Sequence, residues 1–395
     1  MIRITLLFFC IVSTSSLLAV DLTKFNLNYQ INPYSSIEVQ LHARADQDST
    51  YLVHRIILGP QQKFDNLELR YLAQPTLDTK DHRDITAQVS PRLIRQLFRG
   101  QLTEVAIPNY ARDSLVILEV YDKRVGIAYF FDTPVLSEYN FPLPTLMLQS
   151  GYDTPLISNY SSTKDTLRLS GPNENAYAYY YSYKFPPASP PMSKEKFQRV
   201  GKFQIDSVFD LSNGELFQLS RPGLYFFQSD SSSLTGRAHL VHDAAFPRYR
   251  DLESLIACTR YITTADEFKN LQRNPSKRTF DALWLDLAGD ASKARALIRR
   301  YYNRIEEANT FFTSYKEGWK TDQGIIYTVY GTPDKLVKGK NFQQWYYDRD
   351  EFTSNMTFTF VKVKDLFSRE HYELLRNEKY AGMWFRSIEK WRTGR

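Results

Sequence analysis

The apolar residues of this chain change their period once, and that change divides what it can fold into. From about residue 22 to residue 246 they alternate with polar neighbours: Ile37, Val39 and Leu41 form one such set, and Leu67, Leu69 and Tyr71 another. A period of two places successive side chains on opposite faces of a strand. From Asp251 onward the spacing lengthens to three and four, as in Ala294, Leu297, Ile298, Tyr301, Ile305, Ala308 and Phe312, which is the stripe of an amphipathic helix. A chain ordered this way is expected to be multidomain, with β units first and a unit mixing helices and strands last.

Residues 22–134 are expected to form a first β-sandwich. Val116, Leu118 and Val120 lead into Asp122-Lys123-Arg124, and Val125, Ile127, Tyr129 and Phe131 lead out, which predicts a hairpin. Pro91, Leu93, Ile94 and Leu97 fit a short covering helix over 91–98 with proline at its first position. Prolines between 134 and 144 mark a linker. A second sandwich, residues 145–246, has strands at 166–170, in the tyrosine-rich run 176–185, at 203–211 and at 224–227. Pro186, Pro187, Pro190 and Pro191 interrupt it as a loop or polyproline stretch, and Pro222-Gly223 reads as a type II turn. Short strands at regular intervals favour an immunoglobulin-like two-sheet architecture for both modules.

Residues 251–395 are expected to be an α+β domain. Thr264 and Glu267 make a capping-box pattern ahead of Phe268 and Leu271. Asn274-Pro275 opens another helix, with Phe280, Leu283, Trp284 and Leu287 on one stripe, Gly289 as its stop and Asp290 as the cap of the long helix that follows. Residues 342–347 and 356–363 read as paired strands, and Trp384, Ile388 and Trp391 fall at the spacing of a final helix.

Between the long helix and those strands lies Gly318-Trp319-Lys320-Thr321-Asp322-Gln323-Gly324, running into Ile325–Tyr330 and then Gly331-Thr332-Pro333-Asp334. Gly318 and Gly324 are expected to supply backbone freedom, and Thr321 and Asp322 to bond nearby backbone N–H groups. Ile325 to Tyr330 reads as a strand, with Thr332, Pro333 and Asp334 as the cap, first position and acidic first turn of a short helix. This stretch resembles the signature of the GWxTD-domain family of exported bacterial proteins. The resemblance covers roughly the last third of the chain, from about Asp251, and includes Tyr301-Tyr302-Asn303-Arg304, Ala308-Asn309, Phe312 and Trp345-Tyr346-Tyr347. Where the family usually carries Arg, this chain has the uncharged Gln323. The resemblance implies a structural signature of Gly318, Trp319, Thr321, Asp322, Gly324, Tyr330, Gly331, Pro333, Asp334, Trp345 and Tyr346, and no particular reaction. The order strand, short helix, two strands, with Trp-Tyr-Tyr on the second strand, also looks like the small lipoproteins of outer-membrane protein assembly.

The chain opens with Met1-Ile2-Arg3, an apolar run to Val12 and a small residue at Ala19, which reads as a signal peptide over residues 1–19. An uncleaved anchor is the rival reading, although the run is shorter than the roughly 20 residues a span requires. Cys10 follows bulky Phe9 inside the apolar run, which argues against lipidation there. No transmembrane segment is expected in the mature chain. Cys258 is then its single cysteine, read as a small buried hydrophobe, and no intrachain disulfide can form. The net charge is +6, and residues 362–395 hold nine Lys/Arg against five Asp/Glu. That surplus fits a solvated face better than phosphate contacts, so no nucleic-acid partner is expected.

The titratable residues form no familiar constellation. His239 and His242, three apart in a strand, face opposite sides, so no metal is expected there and no cofactor elsewhere. Asp322 and Asp334 would lie about 30 Å apart across a ten-residue strand, which suits caps better than paired catalytic acids. Tyr177, Tyr179, Tyr180, Tyr181 and Tyr183 are either a stacking platform for glycans or core and outer-face packing. Arg295, Arg299 and Arg304 line one helix as a row that an acidic partner could use. The expectation is a non-enzymatic, exported cell-envelope protein, periplasmic or outer-membrane-associated. It would act as a scaffold or docking component for another envelope protein, with outer-membrane or secretion assembly as the expected setting. A carbohydrate-binding protein is the alternative, and a hydrolase using Asp322 or Asp334 the third reading.

Overall fold

A computed structural model describes residues 21–394 except 46–48, 80, 109–110, 112–113, 136–144, 150–152, 171–174, 195–202, 229–230, 232–235, 349–354 and 369. The expected leader, with Cys10, therefore lies outside the described residues, as does most of the expected linker. Among the described residues no helix is long and apolar enough to cross a membrane.

The chain is multidomain, β-rich at its N-terminal side and α+β at its C-terminal side. In the first unit, β1 (Ile37–Ala45), β2 (Thr50–Leu58), β5 (Pro91–Leu97) and β6 (Gly100–Ile107) form one sheet in the order β1-β2-β6-β5. β3 (Leu67–Gln74), β4 (Arg83–Asp84), β7 (Ser114–Asp122) and β8 (Ile127–Val135) form another, in the order β4-β3-β7-β8. Ile37, Leu52, Ile56 and Val105 from the first sheet share a buried layer with Tyr71, Val116, Leu118 and Phe131 from the second. The hairpin expected at 116–131 is β7 and β8, closed where Asp122 pairs with Ile127 and Gly126 takes a φ of 68°.

The helix expected over 91–98 is instead the edge strand β5. It pairs with β6 through a register shift at Leu93/Arg95, and Leu93 is 53% exposed. Proline is tolerated at the first residue of an edge strand, where no partner needs its missing N–H. The helical spacing of Leu93, Ile94 and Leu97 had no buried surface to face.

The second unit pairs a four-stranded sheet with a five-stranded one. The former holds β9 (Thr145–Gln149), β10 (Asp153–Pro155), β12 (Thr166–Ser170) and β15 (Leu216–Gln218). The latter runs β11-β17-β16-β13-β14, comprising β11 (Tyr160–Ser162), β13 (Asn175–Tyr181), β14 (Ser207–Ser212), β16 (Gly223–Gln228) and β17 (Arg237–His242). Along β13, Ala176, Ala178 and Tyr180 join the core of this unit with Leu167, Leu169 and Phe227. Tyr181 leaves that core and packs with Phe185 and Phe226 against Tyr315 and Phe367 of the C-terminal unit.

The C-terminal unit opens with α1 (Leu252–Cys258), α2 (Ala265–Arg273), α3 (Lys277–Ala288) and α4 (Ala291–Phe312). Thr264 and Glu267 form the expected capping box. Ser276, not Asn274, caps α3, which ends at Gly289 with φ 78°, and Asp290 caps α4. The stripe Ala294, Leu297, Tyr301, Ile305, Ala308, Phe312 is buried as its spacing requires. After α5 (Asp322–Tyr330) come β18 (Lys335–Lys338), β19 (Phe342–Tyr347), β20 (Met356–Lys362) and β21 (Tyr372–Leu374), hydrogen-bonded in chain order, and then α6 (Ala381–Thr393). The expected order of strand, short helix, two strands is therefore replaced by one helix followed by four antiparallel strands. The likeness drawn from that order falls with it.

The start of the described chain belongs to this C-terminal core. Leu22 and Leu27 are fully buried in it. The Leu27 N–H donates to the Leu336 carbonyl at 2.8 Å, and Leu336 N–H donates to Asn26 Oδ1 at 3.0 Å. This strap covers the free side of β18, which would otherwise present unpaired backbone groups.

Candidate functional site

The stretch from Gly318 to Asp334 is built around α5, not around a strand. An apolar run such as Ile325-Ile326-Tyr327-Thr328-Val329-Tyr330 fits a buried strand or a buried helix equally by period. The termini decide. Thr321 Oγ1 accepts from the Gly324 N–H at 2.9 Å, capping the helix, and Gly331 stops it with φ 79°. Every residue of α5 except Gln323 is buried, so no polar face betrays the helix. Thr332-Pro333-Asp334 starts no helix and instead turns the chain into β18.

The first two signature glycines are required for close approach rather than for an unusual backbone angle. A Cβ on Gly318 would lie 2.0 Å from the Ala308 carbonyl oxygen on α4, and one on Gly324 would lie 1.8 Å from the Gly318 carbonyl oxygen. Both obstacles are backbone. The glycines let α4, the signature turn and the first turn of α5 stack without a side chain between them.

Trp319, 2% exposed, is locked at both ends. Its indole N–H donates to Tyr249 Oη at 3.1 Å, and its backbone N–H donates to Asn309 Oδ1 at 3.2 Å. Asn309 is itself fully buried on α4 and donates to the Pro247 carbonyl at 2.9 Å. Asp322 is 7% exposed and accepts three bonds: from Leu374 N–H at 2.7 Å and from Arg376 Nη1 and Nη2 at 3.1 and 2.5 Å. Its oxygens thus reach across to β21 and beyond, not to its own turn as expected. Such a forked, charge-assisted pair fixes geometry as well as sign. Arg376 Nη2 also donates to the Ser189 carbonyl at 3.0 Å.

Beside this pair, Glu317 faces Lys320 Nζ at 2.7 Å and His242 Nε2 at 3.5 Å. Burial pushes the Glu317 carboxyl up, but hydrogen bonds and charge from His242 and Lys320 outweigh it and hold the group at about 2. Burial pushes the Lys316 amine down, opposed by the carboxylates of Asp322 and Glu317.

The second half of the signature forms a separate knot. Tyr347 donates to the Gly331 carbonyl at 2.8 Å, and a Cβ on Gly331 would strike the Arg304 guanidinium at 2.4 Å. Asp334 N–H donates to Tyr346 O, and Asp334 Oδ2 accepts from Asp348 N–H at 2.8 Å. Asn28 of the strap donates to the carbonyls of Pro333 and Asp334, each at 3.0 Å. Tyr330 packs on Tyr347, and Trp345, fully buried, packs on Phe312 and Phe360. Tyr346 stays half-buried, its hydroxyl on Gln344. Asp322 and Asp334 therefore stand at opposite ends of α5, with different partners.

Residues 223–393 match the family model of the GWxTD domain. This stretch is similar to that family's domain. The match begins at β16, earlier than the Asp251 expected from the residues, so the last two strands of the five-stranded sheet fall inside it. No curated protein matches the chain.

Around the GWxTD signature, the other expected sites separate. Arg295 and Arg299 are exposed on α4, but Arg304 is not part of their row. It turns inward, pairs with Glu307 at 2.9 Å and lies over the Tyr327 ring. Five residues from Arg299, it falls off the face that residue occupies. Among the tyrosines, Tyr180 and Tyr181 are buried, and Tyr183 meets Phe185 and Phe203 edge-on. His239 is buried on Ser161 Oγ, while His242 points to Glu317. Among the described residues no three His, Cys, Asp or Glu side chains gather as a metal site. Cys258 is fully buried, which pushes its thiol well up. Sequence reasoning missed Arg376, Tyr249 and Glu317. Arg376 and Tyr249 act on the signature from distant parts of the chain, and Glu317, though next to Gly318, gave no sign of its distant partner His242.

Proposed function

We propose that this chain is a non-enzymatic, exported cell-envelope protein in which the GWxTD domain is a rigid docking scaffold carried with two immunoglobulin-like β modules. One observation carries the reading: the Asp322 carboxylate is taken up by Leu374 N–H and the Arg376 fork. A carboxylate so engaged is poorly placed to accept a substrate proton. The rest of the signature is likewise consumed in joining parts of the chain, with Trp319 holding Tyr249 and Asp334 meeting the strap. The two carboxylates a hydrolase would share are turned to separate partners. The glycan reading has less behind it, since Tyr180 goes into one core and Tyr181, with Tyr179 against it, into another.

The test is photocrosslinking in intact cells from exposed positions in different units, Phe98 (90% exposed) and Phe385 (60% exposed). A docking protein gives a discrete adduct with an envelope protein from one of them. Absence of any adduct from a folded, correctly exported protein defeats the reading. So does a catalytic turnover abolished by Asp322→Asn.

A further inference from the structure

The loop Phe185–Met192, sequence Phe-Pro-Pro-Ala-Ser-Pro-Pro-Met, lies on the GWxTD signature and is held there by its backbone. Tyr261 Oη donates to the Ala188 carbonyl at 2.9 Å, Arg376 Nη2 to the Ser189 carbonyl at 3.0 Å, and Asn377 N–H to the Pro191 carbonyl at 3.0 Å. In the other direction, the Ala188 N–H donates to the Lys320 carbonyl at 2.9 Å. Three donors thus meet three carbonyls, and one acceptor meets an N–H in a segment whose four prolines have none. The ends are apolar anchors: the Phe185 ring centroid sits 4.9 Å from that of Tyr315, and Met192 is half-buried against the main core.

We infer that this face is a receptor for an extended, proline-rich segment. Residues 185–192 are its built-in ligand, and a partner's segment of the same chemistry docks by exchanging with them. The inference deepens the docking reading by naming what docks. Proline-rich segments are pre-extended, so ordering them on a surface costs little, and aromatic-lined sites exploit this. The hydrogen bonds that hold the middle of the loop run to its backbone, and Ala188 and Pro191 add small apolar contacts, so a foreign segment with similar prolines and small residues satisfies the same groups. Asp322 serves as a positioning residue: its fork aims Arg376 at the Ser189 carbonyl.

The experiment uses the full chain with Pro186, Pro187, Ala188, Ser189, Pro190 and Pro191 each replaced by Gly or Ser. Fluorescence anisotropy then follows a labelled synthetic peptide of residues 184–193. The replaced chain binds it saturably, the unaltered chain binds it at least about tenfold more weakly, and a scrambled peptide does not compete. Adding Arg376→Ala weakens binding by roughly 10- to 100-fold, the range for losing a charge-assisted hydrogen bond. A folded replaced chain that ignores the peptide overturns the inference.

Should the replaced chain not fold, amide exchange in the otherwise unaltered chain decides. Arg376→Lys, which keeps the charge but loses the fork, speeds exchange at Ala188 and Asn377 while sparing Trp319. Unchanged exchange at both overturns the inference. Envelope crosslinks that persist without peptide binding would leave docking intact and remove only this receptor face.

Discussion

The carbonyl oxygen of Gly318 lies 1.8 Å from where a Cβ on Gly324 would stand. These glycines, six residues apart, make one backbone contact on which α5 seats.

Gly324→Ala must therefore move backbone, and no rotamer can relieve it. The expected loss is about 3 kcal/mol or more, at or beyond the upper end for overpacked sites. Gly214→Ala is the comparison: its φ is 87° but nothing lies within 4 Å, so only left-handed strain of about 1–2 kcal/mol applies. Urea unfolding of both variants measures the difference, and equal losses would remove the close-approach argument.

Asp322→Asn leaves a guanidinium that is 10% exposed without its charge partner. Breaking such a buried pair costs about 3–5 kcal/mol. Arg376→Met added to it should restore part of the loss, because the stranded charge is gone. A double-mutant cycle by urea unfolding that gives no coupling between these positions contradicts the pairing.

Glu317 contributes to the acid limb of stability. Its carboxyl is held at about 2 in the folded chain against an ordinary 4.5, so the unfolded chain binds the proton more readily. The stabilisation is complete above about pH 4.5 and disappears as the pH falls toward 2. Glu317→Gln should flatten the fall in melting temperature between pH 5 and 2.5 while lowering stability at neutral pH. An unaltered slope would show that the group titrates normally.

Cys258 should behave as packing. The thiolate is the reactive form, and burial disfavours it. An aromatic disulfide reagent at neutral pH should react with Cys258 only after denaturant is added. Rapid labelling of the native protein would mean the helix α1 region opens easily.

What the residues announced depended on how local the cause was. Caps and stripes were legible: Thr264, Gly289 and Asp290 act within a turn of themselves. The hairpin at Asp122 was legible for the same reason. α5 was not, because burial on every side removes the polar–apolar contrast that distinguishes the two periods, and Ile, Val and Thr favour strands when read alone. β5 failed in the opposite way, since its apolar residues follow a helical spacing yet remain largely exposed. In the site, the identity of the signature residues was visible and their work was not. Asp322 finds Arg376 some fifty positions later, and the Leu374-Leu375-Arg376-Asn377 context gives no sign of it.

The strap has a consequence for how the chain comes to be folded. Asn26 and Asn28 bond to Pro333 and Asp334 across more than three hundred residues. Contacts that distant form slowly, because a large loop must close before they repay it. Asn26 and Asn28 leave the ribosome long before Pro333 and Asp334 and wait for them. The same segment also bonds Leu77 and Phe130 of the first β unit, so it has a place to rest before β18 is made; until Asn26 and Asn28 then close on it, β18 keeps a raw edge that a neighbouring molecule can seize.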